Sequence, residues 1–453
     1  MERSDVEPIL VEAIEAAEDG DEDEAWAVLE PLIGAADVSA AAAWGVAVAA
    51  ALGELDPDRR VELARRVFDR WPDDVAVAVA LGQATETLHD VRYLNDAPPS
   101  DPFFEAVARR LARALDEATT DEARAMIARG LTTSARVCGR AFDALTEAGH
   151  RALLAREPDR WETHYNIGLF YKNRGRFREG LEANQRAAAL GGADDEAVSW
   201  NLAICATAVG EGAAALAEWR KLGLDIDVGP GGWPEGSFPT VQVRLAERPV
   251  AERTAEDDTP GREETIWVER LSPCHGRVRS ALHQELGVDY GDVVLFDGAP
   301  IVIRTWEDRS VPVFPHLATL ARGGFAIHRF AATQPEKHRV AEAGDRLGEG
   351  ALLYVLTEQF QVLCPTCWEQ PDAPHRHEDE THHVVVGKLV FPDQRPAGDI
   401  GSALDALVAE DPSLRIYVPG LWRQVGDLRR AEVEERRRAM LLSGLPAGAA
   451  PPS

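Results

Sequence analysis

Two stretches of this sequence can be laid over each other at an offset of 35 residues, and that repetition limits the fold more than any other feature. Asn201, Leu202 and Ala203 fall on Asn166, Ile167 and Gly168, and Gly210 falls on Gly175. A unit repeated at such a period is a single supersecondary element that cannot bury its own apolar face, so the next copy has to cover it. From the start to about Leu224, Ala, Leu, Val and Trp recur every three or four residues, with polar turns between them and no alternating strand pattern. The expectation is a stack of helices.

The clearest unit is WETHYNIGLFYKNRGRFREGLEANQRAAAL, from Trp161. Asn166, Ile167, Gly168 and Tyr171 belong to its first helix and Gly175 to the turn. Phe177 follows the turn, Gly180 and Ala187 take the small positions of the second helix, and Pro158 ends the preceding unit. On these residues the segment resembles the tetratricopeptide repeat (TPR), a pair of antiparallel helices about 34 residues long. GDEDEAWAVLEPLI from Gly20 and PDRRVELARRVFDRWPDD from Pro57 resemble further second helices, whereas Asn95 to Pro102 breaks the register. The resemblance implies an N-terminal α-helical TPR-like solenoid over residues 1–225. Its concave face would bind a protein or peptide, with Asn166, Tyr171, Asn201 and His164 as candidate contacts. The rival reading is a stack that only docks the rest of its own chain. Trp26, Trp44, Trp161, Trp200 and Trp219 recur at helical spacing and are expected mainly in the core, as are Cys138 and Cys205.

Residues 226–263 change character, with GPGGWPEGSFP followed by a polar acidic run, and read as a linker. Beyond it, TIWVER, VVLFDG, IVIRTW, LLYVL, QFQVL, HVVVGKLVF and LRIYV read as short strands. Helical spacing returns at His316 to Leu320, Ile400 to Glu410 and Gly426 to Leu442. Residues 264–453 are therefore expected to form an α+β domain with mainly antiparallel sheet. Asp297-Gly298 has the turn chemistry of a hairpin.

The chemistry-bearing segment is LCPTCWEQPDAPHRHEDETHH, spanning a Cys/His-rich hairpin loop at residues 364–383. Cys364 and Cys367 form a C-x₂-C knuckle, and His375 and His377 follow on a segment where alternate side chains share a side. Two sulfur and two nitrogen donors suit Zn²⁺ in a filled, structural site, with His382 or His383 as alternates for either histidine. Rival readings are a metal-dependent hydrolase with an open coordination position, a thiol oxidoreductase using CPTC, and a module that senses metal or oxidant. The two prolines after Cys367 argue against the helix that a redox CPTC needs. Cys274 beside His275 invites a thiol-nucleophile reading, but adjacent side chains on a strand diverge, so packing is expected and no catalytic residue is assigned.

A net charge of -29 repels a phosphate backbone. The most basic run, Arg429 to Arg438, is interleaved with Glu432, Glu434 and Glu435, so nucleic acid is not an expected partner. The longest apolar stretch, Val38 to Leu52, is Ala-rich and reads as an internal helix, so membrane insertion is not expected either. The acidic opening residues Glu2, Asp5 and Glu7 and five scattered cysteines point to a cytoplasmic protein. Scarce lysine beside abundant arginine and alanine suggests a bacterial source.

Overall fold

The repeated positions resolve into helices that pair. The structure is a computed structural model and describes residues 3–34, 57–89, 101–306, 309–369 and 373–443. Within these, the helical half runs α1 (Arg3–Glu18), α2 (Glu22–Gly34), α3 (Pro57–Arg70), α4 (Val75–His89), α5 (Phe103–Glu117) and α6 (Asp121–Val137). It continues with α7 (Asp143–Arg156), α8 (Trp161–Asn173), α9 (Phe177–Ala189), α10 (Glu196–Ala208) and α11 (Gly212–Lys221). The expected helix at Val38 to Leu52, Trp44, and most of the loop at Asn95 to Pro102 lie outside the described residues. Among the described residues no helix is long and apolar enough to cross a membrane.

Local chemistry sets the helix starts. Thr120 caps α6 by accepting from the Ala123 N–H at 3.2 Å, and Asp195 caps α10 by accepting from Ala197 and Val198. Small residues allow the close crossings. A Cβ on Gly168 in α8 would overlap the Asn184 amide of α9, and that amide donates to the Gly180 carbonyl at 2.7 Å. Gly180 in turn faces Cys205 of α10. Gly175 and Gly210 turn the chain at φ of 70° and 78°. Phe170, Trp219 and Cys205 are fully buried, whereas Trp26, Trp161 and Trp200 are half-buried.

Two compact units share the chain without being consecutive in it. One holds residues 1–236, 248–260 and 297–318, and the other holds 237–247, 261–296 and 319–453. Residues 226–263, read as a linker, carry β1 (Asp227–Val228), β2 (Pro234–Glu235) and β3 (Val241–Ala246) and are divided between the two units.

In the first unit, 248–260 is fastened to the helices by Arg140. Its backbone N–H and Nε donate to Asp258 at 2.8 and 2.9 Å, and its Nη2 donates to the Val250 carbonyl. Lys172 of α8 pairs with Asp297 at 2.6 Å, and both side chains are almost entirely buried. Asp297 also closes a turn by accepting from the Ala299 N–H at 3.1 Å. The strand beyond that turn, β7 (Val302–Trp306), finds its antiparallel partner in β8 (Arg309–Ala321), from Val302↔Val313 to Trp306↔Arg309. His316 to Leu320 therefore lies in a strand and not in the expected helix. Pro312 and Pro315 lack the N–H groups that a helix start would use and favour extended backbone before them.

The second unit contains an antiparallel ladder of β3, β4 (Glu263–Arg270), β5 (His275–Val278) and β6 (Val293–Phe296). It also contains a four-stranded antiparallel sheet of β9 (Phe325–Gln334), β10 (Leu352–Leu363), β11 (Glu380–Pro392) and β12 (Arg415–Tyr417), ordered β10-β11-β9-β12. LLYVL and QFQVL join into the single strand β10, with a register shift between Val355 and Thr357. Helices α12 (Arg339–Gly344), α13 (Pro365–Glu369), α14 (Ala397–Glu410), α15 (Pro419–Val425) and α16 (Leu428–Leu442) complete this unit. Phe330, Val385, Leu389, Phe391, Ile400 and Trp422 form the centre of its core.

Candidate metal centre

The β10 strand ends at Leu363, and the chain turns at once into the single helical turn α13. Cys364 stands at the start of that turn and Cys367 inside it, so backbone N–H groups point back at the Cys364 sulfur. The Glu378 N–H first of all, then those of Cys367 and Thr366, hold the Cys364 thiol down to about 6 against its burial. Burial, and then the neighbouring Cys364, push Cys367 up.

Residues 374–379 return to the knuckle without regular secondary structure. His375 Nε2 and His377 Nδ1 each lie 3.3 Å from Cys367 Sγ. The four donor atoms of Cys364, Cys367, His375 and His377 all fall within 4.8 Å of one another. A tetrahedral zinc with its usual bond lengths sets sulfur and nitrogen about 3.5 Å apart, so this donor set fits the ion in both type and spacing. His375 Nδ1 donates to the Ala373 carbonyl at 2.8 Å, which leaves Nε2 as the ligating atom. Those four residues would hold the metal, and four protein donors leave no position for a reacting water.

His382 and His383 stand apart from this group. They sit in β11 opposite Gln361 and Phe360, with His383 stacked on the Phe360 ring at 4.5 Å and its Nε2 3.0 Å from Glu358. Residues with no local signal in the sequence anchor the knuckle. Arg415 of β12 donates to the Glu369 carboxylate at 3.0 Å, and Arg437 of α16 donates to the Glu369 carbonyl at 2.9 Å.

Cys274 and His275 are fully buried in a bend with Ser272, whose Oγ lies 2.5 Å from His275 Nδ1 and 3.7 Å from Cys274 Sγ. Burial, with Arg277 adding, pushes His275 down to about 4. The Cys274 thiol has no access to solvent.

In the helical half, α4, α6, α7 and α8 enclose a polar cavity of about 230 Å³. Glu86, Arg129, Thr133, Arg136, His150 and Asn166 line it. Among the candidate contacts, Asn166 is exposed in this cavity and Tyr171 lies under the Arg176 guanidinium, 4.4 Å from the ring centroid. Asn201 is buried and hydrogen-bonded to Tyr165, and His164 Nε2 donates to the Pro158 carbonyl at 2.8 Å.

No family model and no curated protein matches the chain. Solved structures similar to it include a MamA D159K mutant, at 20% identity and a TM-score of 0.29, with 41% of this chain and 97% of that chain covered. A second MamA structure, AMB-1, is 17% identical with a TM-score of 0.26, over 49% of this chain and 92% of that chain. Each match covers less than half of this chain, and likeness at such scores does not bear on activity.

Proposed function

We propose that this chain is a scaffold or adaptor that binds a partner protein or peptide through its TPR-like helices, and that a structural zinc clamps the knuckle of its second unit. One observation carries the first part. Three alternate helices, α4, α6 and α8, present Glu86, Arg129, Thr133, Arg136 and Asn166 to one polar cavity, the kind of inner surface that repeat stacks use for binding. The donor set of Cys364, Cys367, His375 and His377 supports the second part. In this reading the protein works in the cytoplasm, where its five free thiols are in their ordinary state.

Crosslinked partners recovered with the full chain should include a species lost with both Asn166→Ala and Thr133→Arg and kept with Cys364→Ser. A partner set indifferent to both groove variants overturns the groove reading. Protein purified without added metal should carry about one zinc per chain, lost together with thermal stability in Cys364→Ser/Cys367→Ser. Metal-free protein with two freely reactive thiols overturns the clamp.

A second reading, sensing of metal or oxidant, draws on the lowered pKa of Cys364, which makes the thiolate the main form at neutral pH. It calls for reversible Cys364–Cys367 disulfide formation by mild oxidant, with release of the zinc.

A further inference from the structure

The second unit also carries an open cavity of about 680 Å³, well inside the range of roughly 300 to 1,000 Å³ that holds small molecules. The loop at 285–292, strands β9 and β11, and helices α15 and α16 wall it. Its charges are unevenly satisfied. Asp289 accepts from the backbone N–H groups of Leu282 and Tyr290 at 3.1 and 2.8 Å, and its second oxygen takes the ammonium of Lys388, which is only 2% exposed. Asp292 accepts from the N–H groups of Gly323 and Asp289 at 2.7 and 3.1 Å and from Arg322 at 3.0 Å. The protein itself thus occupies these two aspartates, while the third that lines the cavity, Asp393, is exposed.

The guanidinium groups keep donors to spare. Arg329 gives Nε to Glu285 at 2.7 Å and Nη2 to the His283 carbonyl at 2.9 Å, but its Nη1 is buried with no acceptor among the described residues. Arg423 and Arg438 share the single carboxylate of Glu435 at 2.8 and 3.0 Å, and Arg438 Nε is likewise buried without an acceptor. Buried donors left unpaired are costly, and both of these arginines line this one cavity, Arg329 from β9 and Arg438 from α16. Beside them lies an apolar face. The Tyr290 and Phe325 rings meet edge to face at 5.2 Å, with Leu286, Ile327 and Pro419 also lining the cavity.

We infer that this cavity binds a small organic anion, a phosphate monoester or carboxylate on a planar apolar body. Arg329 and Arg438 take the charged end, and Tyr290 and Phe325 take the body. The site shares no lining residue with the knuckle or with the helical groove.

Calorimetric titration of the full chain tests it, with phenyl phosphate as the whole ligand, inorganic phosphate and phenol as its halves, and benzoate as the carboxylate arm. Phenyl phosphate or benzoate should bind at a single saturable site at least about tenfold more tightly than either half. A preference between the two names the anion. Arg438→Gln should weaken binding by about tenfold or more. Arg423→Gln, at a side chain more than half exposed, should weaken binding several-fold and decides the matter if the first variant does not fold. Cys364→Ser should leave binding unchanged. The inference falls if neither aromatic anion saturates, if inorganic phosphate binds as tightly as phenyl phosphate, or if folded arginine variants bind like the parent.

Discussion

Gly175 and Gly210 occupy the same turn of two successive helix pairs, yet a methyl group would affect them differently. At Gly210 nothing lies within 4 Å of the added carbon, so Gly210→Ala should cost only left-handed backbone strain, about 1 kcal/mol. At Gly175 the same methyl runs into the Ala251 backbone, and the loss should be on the order of 2–4 kcal/mol. Urea titration of both variants checks this, and equal losses would mean that residues 248–260 yield freely. The repeat pattern equates these two glycines because the residue that distinguishes them lies far along the chain. A second residue-scale expectation concerns His150 and His275, both pushed down to about 4 by burial first, with Arg136 and Arg277 adding. In the unfolded chain both return toward 6.5, so the unfolded state binds more protons below that pH. Stability is therefore complete above about pH 6.5 and is lost as pH falls toward 4, by at most about 1.4 kcal/mol per pH unit for each histidine. The stability difference between wild type and His275→Gln, followed from pH 7 to pH 5, should shrink as pH falls, and a flat difference would mean that His275 is charged in the fold.

At the scale of elements, α13 is one helical turn held at Glu369 by Arg415 and Arg437, so the knuckle depends on two elements distant in sequence. Arg437→Ala should speed transfer of zinc to a chelator by about tenfold, as loss of an outer-shell support does in other metal sites. Chelation itself should raise amide exchange at the adjoining ends of β10 and β11, near Leu363 and Glu380, and leave exchange in α14 unchanged. Periodicity made most of these elements legible, including the knuckle after a strand, the core of β11 and the helices at Ile400 to Glu410 and from Leu428. It failed where apolar residues are dense. His316 to Leu320 has helical spacing by chance, while its pairing partners, which settle it as a strand, are not local. The four donors were legible because C-x₂-C and H-x-H are local patterns. The lining of the 680 Å³ cavity was not, since its residues converge from well-separated segments.

For the molecule as a whole, the order of segments along the chain matters more than any single contact. The first unit is complete only when residues 248–260 and 297–318 have joined residues 1–236. Lys172→Met should cost about 3–5 kcal/mol, because it strands Asp297 as a buried, uncompensated charge, and Lys172→Met/Asp297→Asn should recover much of that. Thermal melts of the two variants measure it, and an equal loss in both would assign the cost to packing. For the same reason, the fragment 1–236 should melt below the full chain, having lost the partners of both Arg140 and Lys172.

During synthesis, the interleaving sets a timetable. Lys172 leaves the ribosome roughly 125 residues before Asp297, a wait of about 6–25 s at ordinary elongation rates. Through that interval the helices stand without their closing ion pair, while residues 237–247 and 261–296 of the second unit are being made. The first unit therefore cannot close until residue 318 has been made, and a ribosome stalled between residues 236 and 297 would carry a nascent chain with neither unit finished, a natural client for a chaperone.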